Sequence, residues 1–227
     1  MSRRAPDSRQ SDSPENRKAG LALIRDFVDV SRETEVRLDN YGDELRKWSP
    51  AKNLVGPDTL SSLWTRHIAD CAQAVACMPG ARRWVDLGSG AGLPGLIVAI
   101  LIADREGADV RLVESSSGKC AFLRAATRRT GAPATVHCVR IEDFVDNWRE
   151  PVDVVTARAL APLEKLLEMA APLIARGAIA VFHKGQDVGR ELTEASRCWT
   201  FSHTLIPSRT QSGSALVIIN DCVRKSA

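Results

Sequence analysis

The chain has 227 residues, 44% of them hydrophobic, which is enough for one α/β domain with an appended element and a sizeable core. Its 31 Lys and Arg against 28 Asp and Glu leave a formal charge of +3, too weak a field to announce a polyanionic partner without local clustering. The longest apolar run, Leu93 to Ala103, is about half the roughly 20 residues a bilayer span needs and contains Pro94 and Gly95, so no membrane crossing is expected.

Residues 1–17 are rich in Ser, Arg, Asp and Pro without an apolar stretch, and they read as a disordered basic tail rather than a secretory leader. From Pro14 to Trp48 the pattern is helical, with Leu38, Tyr41, Leu45 and Trp48 on one face, and Ser49-Pro50 is expected to end it. A second helix is predicted from Thr59 to Met78, stopped by Pro79-Gly80, so that residues 18–80 form an N-terminal helical cap. Over residues 81–227 the texture becomes short apolar runs alternating with helical stretches, the mark of βαβ units. Strands are predicted at Trp84–Leu87, Val110–Val113, Thr135–Val139, Val152–Thr156 and Ala178–Phe182. Phe201–Ile206 and Ala215–Ile219, around the turn Pro207–Gly213, form a hairpin. The expected fold is α/β and Rossmann-like: a mostly parallel seven-stranded sheet with a C-terminal antiparallel hairpin, as in methyltransferases that use S-adenosylmethionine (SAM). The six cysteines include no C-x-x-C pair and read as reduced core thiols of a cytoplasmic protein, with no metal site.

Chemistry concentrates at Asp86 to Gly95, where a strand turns into a helix through Gly88, Gly90, Gly92 and Gly95. Glycines there let the backbone turn sharply and approach a ligand. The spacing also satisfies the G-x-G-x-x-G of dinucleotide sites, but Asp86 would oppose a pyrophosphate, whereas a carboxylate suits a sulfonium ligand carrying an ammonium group. Glu114 ends the next strand, where an acid can accept from both ribose hydroxyls of SAM or of NAD. After the third strand, Ile141 and Glu142 are placed to meet an adenine ring, although Glu142 also suits a helix start. Arg158 and Lys184, at the ends of the fourth and fifth strands, are the candidate catalytic cations: Arg158 suits a methionine carboxylate or an RNA phosphate, and Lys184 faces the same crevice. His67 falls on an apolar stripe and serves equally as a core histidine or a substrate contact. Arg124, Arg128 and Arg129, with Arg82-Arg83 and the tail's Arg3 and Arg4, are the candidate RNA contacts.

These segments together resemble the ribosomal RNA small-subunit guanine-N7 methyltransferase family, RsmG or GidB, from about Tyr41 to Asn220. Trp48 to Val55 resembles its W-x-x-x-x-N-L-T, Arg66 to Cys71 its R-H-I-x-D-S, and Asp86 to Gly95 its D-x-G-S/T-G-x-G-x-P-G. Arg140 to Glu142 resembles R-x-E, Arg158-Ala159 lies in S-R-A, and Lys184-Gly185 in x-K-G. Two positions depart from the pattern: Val55 replaces a usual Thr, and Glu114 a usual Asp. The resemblance implies SAM contacts at Gly88, Leu93, Ile141, Glu142 and Arg158, with Gly90 and Glu114 as neighbours. It also implies methylation of guanine N7 in 16S ribosomal RNA, free or in the small subunit, by a monomer. The competing readings are a noncatalytic SAM- or nucleotide-sensing RNA-binding protein and, third, a dehydrogenase.

Overall fold

The structure is a computed structural model that describes residues 14–52 and 54–226. Most of the predicted tail falls outside these residues, but Pro14 to Arg17 are helical and open α1 (Pro14–Arg25). The single helix expected to Trp48 is two. The chain leaves helix after Arg25 and restarts as α2 (Arg32–Lys52), where Ser31 Oγ accepts from the Thr34 amide at 3.1 Å as an N-terminal cap. Nor does Ser49-Pro50 stop α2. Proline removes one helical donor in the last turn, yet helix persists to Lys52, with Ser49 Oγ donating to the Leu45 carbonyl at 2.7 Å.

The helix predicted over Thr59–Met78 is three pieces: α3 (Pro57–Ser61), a π-helical segment (Leu63–Ile68) and α4 (Ala69–Cys77). The wide turns begin where α1 presses in. A Cβ on Gly20 would lie 2.5 Å from Trp64 Cβ, and Asn16 Oδ1 accepts from the Trp64 amide at 3.3 Å.

The sheet has the predicted architecture. Strands β1 (Arg83–Leu87), β2 (Asp109–Glu114), β3 (Ala134–Cys138), β4 (Val154–Arg158) and β5 (Ile179–Lys184) are parallel. The hairpin of β6 (Trp199–Pro207) and β7 (Ala215–Arg224) is antiparallel, and β7 inserts beside β5 to give the order β3-β2-β1-β4-β5-β7-β6. Helices α5 (Gly95–Leu101), α6 (Ser117–Thr130), α7 (Ile141–Asn147), α8 (Leu163–Ile174) and α9 (Val188–Cys198) connect the strands. Strand β4 starts two residues later than predicted, because Asp153 is held outside the strand by the Arg82 and Arg83 amides, both 2.9 Å from its Oδ2.

Covered on both faces, β1 and β4 are buried at four of their five positions each. One face packs against α1, α2, α4, α5 and α6 in a core that runs from Leu38, Tyr41 and Trp64 to Leu96 and Leu112. The opposite face packs against α7, α8 and α9 around Val155, Leu167 and Phe182. All six cysteines are free thiols, with Cys71 and Cys120 buried. Strand order reverses between β1 and β4, and open α/β sheets bind ligands at the carboxyl ends of strands beside such a point.

Candidate active site

At that edge the glycine turn is built by left-handed residues: φ is +67° at Gly88, +54° at Gly90 and +81° at Gly92. The Ser89 amide donates to the Val113 carbonyl at 3.0 Å, which ties the turn to β2. From the opposite side the buried Tyr41 hydroxyl donates to the Ala91 carbonyl at 2.8 Å, fastening the turn to α2. At Gly95, where a Cβ would lie 2.5 Å from Asp86 Oδ2, the amide donates to that oxygen at 3.1 Å.

Asp86 is therefore sealed beneath the turn, 1% exposed, with its second oxygen buried and unpartnered. Burial pushes its carboxyl up to about 7, against the Gly95 amide hydrogen bond that favours the charge.

Two cavities at this edge of the sheet share Ala159, and one of them reaches the turn at Gly88. The first, of about 280 Å³, is lined by Gly88, Glu114, Ile141, Glu142, Leu160 and Met169 among others. Four of the predicted cofactor residues thus come together across the ends of β1 and β2 and the start of α7. Glu114 takes the Gly90 amide on Oε2 at 3.0 Å and the Ser116 amide on Oε1 at 2.8 Å. A carboxylate offers about four acceptor positions, so two remain for a ribose. A Cβ on Gly88 would fall 2.6 Å from Leu160 Cδ1, so only a glycine leaves this wall open. Carboxylate, bare backbone and apolar walls fit a nucleoside with an attached amino-acid chain. Asp86, Gly90 and Leu93 line neither of the two cavities.

The second cavity, of about 300 Å³, is lined by Arg158, Lys184, Asp70, His183, Glu191 and Gln211 among others. Both predicted cations are here, and both are already partnered. Arg158 turns toward α4 and the π-helical segment: Nη2 lies 2.6 Å from His67 Nδ1, and Nε lies 3.7 Å from Asp70 Oδ2. Lys184 Nζ donates to the Ala161 carbonyl at 2.9 Å and pairs with Glu191 Oε2 at 2.6 Å. His67 is pushed down to about 4 by burial and by Arg158, and burial also lowers His183, whose Nε2 lies 3.2 Å from the Asp70 carbonyl. Ala159, common to both cavities, has φ +51°, a strained value for a residue with a Cβ, of the kind that clusters at functional sites.

Sequence reasoning missed Tyr41, Asp70, Ala159 and Glu191 as parts of this site. An acid on the apolar stripe of residues 63–75 was the available signal for Asp70. Its Oδ1 accepts from Gln73 Nε2 at 3.1 Å and from Ser208 Oγ and Thr210 Oγ1 at 3.0 Å each, holding the β6–β7 turn against α4.

Known proteins match this arrangement. The profile of the rRNA small subunit methyltransferase G family covers residues 34–215. The ribosomal RNA small subunit methyltransferase G of Methylorubrum populi is 52% identical over 195 residues, spanning 86% of this chain and 92% of its own. That of a Bradyrhizobium strain is 50% identical over 210 residues, 92% of each chain. Among solved structures, a putative O-methyltransferase from Klebsiella pneumoniae superposes with TM-score 0.54 at 9% identity, covering 91% of this chain and 98% of that one. A mutant of MtNAS in complex with S-adenosylmethionine superposes with TM-score 0.54 at 16% identity, covering 93% and 81%. At such identities the structural matches establish the fold alone, whereas the sequence matches decide the family: this chain belongs to the rRNA small subunit methyltransferase G family.

Proposed function

We propose that the chain is a cytoplasmic, monomeric methyltransferase that moves a methyl group from SAM to N7 of a guanine in 16S ribosomal RNA. The observation that carries this reading is the pair of cavities that share Ala159, one lined by the candidate nucleoside-binding set and the other by polar and charged side chains. SAM supplies an electrophilic methyl on a sulfonium. On this reading Glu114 accepts from the ribose, Gly88 gives close backbone approach, Ile141 and Leu160 flank the adenine, and Glu142 meets its amino group. Arg158 and Lys184 act as positioning groups, held in place by Asp70 and Glu191.

Guanine N7 has an in-plane lone pair and no proton. Its attack forms the nitrogen–carbon bond as the carbon–sulfur bond breaks, sulfur keeps that electron pair, and the positive charge passes to the base. Nothing must be deprotonated first. Holding the reactants in line is then the main demand, and proximity of this kind is worth about 7–11 kcal/mol. The histidines agree with that economy, since His67, down to about 4, is neutral near pH 7 and its Nδ1 is occupied by Arg158.

The test is single-turnover methylation of small-subunit RNA at saturating SAM. N7-methylguanine should form, with a rate nearly flat from about pH 6.5 to 9, where a tuned base would titrate. SAM binding without methyl transfer would show a sensor instead. An acidic limb near neutrality that vanishes in His67→Ala or His183→Ala would reveal a catalytic histidine.

A further inference from the structure

Glu191 on α9 carries a largely buried side chain, 16% exposed, on the second cavity. Its Oε2 accepts from the Leu163 amide at 2.6 Å and pairs with Lys184 Nζ at 2.6 Å, which fixes the carboxylate at two points. Oε1 has no hydrogen-bond partner among the described residues. Asp70, the other carboxylate on this cavity, is consumed: three side-chain donors meet its Oδ1, and its Oδ2 faces Arg158. Glu191 therefore brings to the lining of this cavity a carboxylate fixed through one oxygen, with acceptor positions open on the other.

Such an oxygen discriminates among purines. On the side of the ring away from N7, guanine carries donors at N1 and at the exocyclic N2, and adenine carries none at either place. Enzymes that act on a base commonly take it out of the stack and read this edge inside the pocket. A purine seated in the second cavity with N7 toward Ala159, the residue that lines both cavities, turns that edge toward the part of the lining away from Ala159. We propose that this cavity receives the target guanine and that Glu191 Oε1 accepts from its N1–H and N2–H, making Glu191 a specificity-determining residue. Lys184 is then a positioning residue that holds Glu191 in the accepting orientation. The assignment rests on the methyl-transfer reading above.

Glu191→Gln isolates the effect. The Leu163 amide and Lys184 both donate, so they retain the amide oxygen at the Oε2 position, and the new NH₂ group faces the cavity as a donor opposing donors. The experiment compares wild type and Glu191→Gln on small-subunit RNA carrying either guanine or inosine, which lacks the N2 amine, at the methylated position. On guanine, kcat/KM should fall by about 10- to 100-fold in the variant, the range for losing a hydrogen bond to a charged group, while SAM affinity measured by calorimetry stays unchanged. Wild type should lose a similar factor on inosine, and the variant on inosine should lose far less than the product of the two penalties. Penalties that multiply, or a parallel fall in SAM affinity, would overturn the assignment. The wild-type arm needs no variant to fold: a preference for guanine over inosine below about threefold also overturns it. Absence of any transfer by wild type to guanine-containing RNA would instead sink the methyl-transfer reading on which it rests.

Discussion

Asp86 and Gly88 show how individual residues set the glycine turn. The Asp86 carboxyl stands at about 7 in the folded chain against an ordinary value of 3.8, a difference corresponding to about 4 kcal/mol. The folded value is the higher one, so between these pH values the folded chain binds more protons and stability falls as pH rises, the loss being complete above about pH 7. His67 works in the opposite sense, since its value of about 4 lies below the ordinary 6.5 and stability rises with pH between the two. Asp86→Asn keeps a carbonyl oxygen for the Gly95 amide and removes the titration. Urea unfolding from pH 4 to 8 should therefore show the variant gaining on wild type as pH rises to 7, and parallel curves would mean that Asp86 does not titrate there. At Gly88 an alanine would adopt a left-handed backbone and push into Leu160, which also lines the first cavity. Gly88→Ala should weaken SAM binding by more than tenfold, whereas Gly90→Ala, with no side chain closer than 3.7 Å, should cost mainly about 1–2 kcal/mol of backbone strain. Calorimetry on both variants decides the order.

Among the elements, α6 is the one whose two faces do different work. Phe122 and Leu123 are buried in the core, and Phe122 meets Trp48 of α2 edge-on at 6.2 Å between ring centres. Its sequence has no acidic residue, and Arg124, Arg128 and Arg129 are exposed, with no ion pair among the described residues. Lys119, in the first turn of the same helix, lines the first cavity, so the helix that carries these arginines starts at the candidate site. Replacing the three arginines by alanine should raise KM for RNA and lower the salt dependence of RNA binding by about two to three in the log–log slope, leaving SAM affinity unchanged. A loss confined to SAM affinity would show that the helix serves the cofactor instead. Boundaries were the hardest to read: Ser31 as a cap inside an apparently continuous pattern depends on a single hydrogen bond that periodicity does not register, and helix continues past Pro50 despite the missing donor.

At the scale of the whole molecule, the N-terminal helices are coupled to the site by buried polar contacts. Tyr41→Phe removes the donor to Ala91 and leaves a carbonyl in the core without its partner, which should cost about 1–3 kcal/mol in urea unfolding and loosen SAM binding through the freed turn. Unchanged SAM affinity in a destabilised variant would confine Tyr41 to a purely structural role. Sequence alone determined the α/β class, the C-terminal hairpin and the glycine turn, because each is written in periodicity or in a local motif, whereas the insertion of β7 beside β5 is a fact of the sheet. Ile141 and Glu142, whose signal lay at the start of one helix beside the end of one strand, line the same cavity as Gly88 and Glu114. Only the tertiary structure decided that Asp86 is sealed away, that Arg158 and Lys184 are held by Asp70 and Glu191, and that two cavities share Ala159. Those facts depend on which buried polar groups satisfy one another. Asp70 and Ser208, for example, meet across 138 positions of sequence, and packing alone selects partners over such a separation.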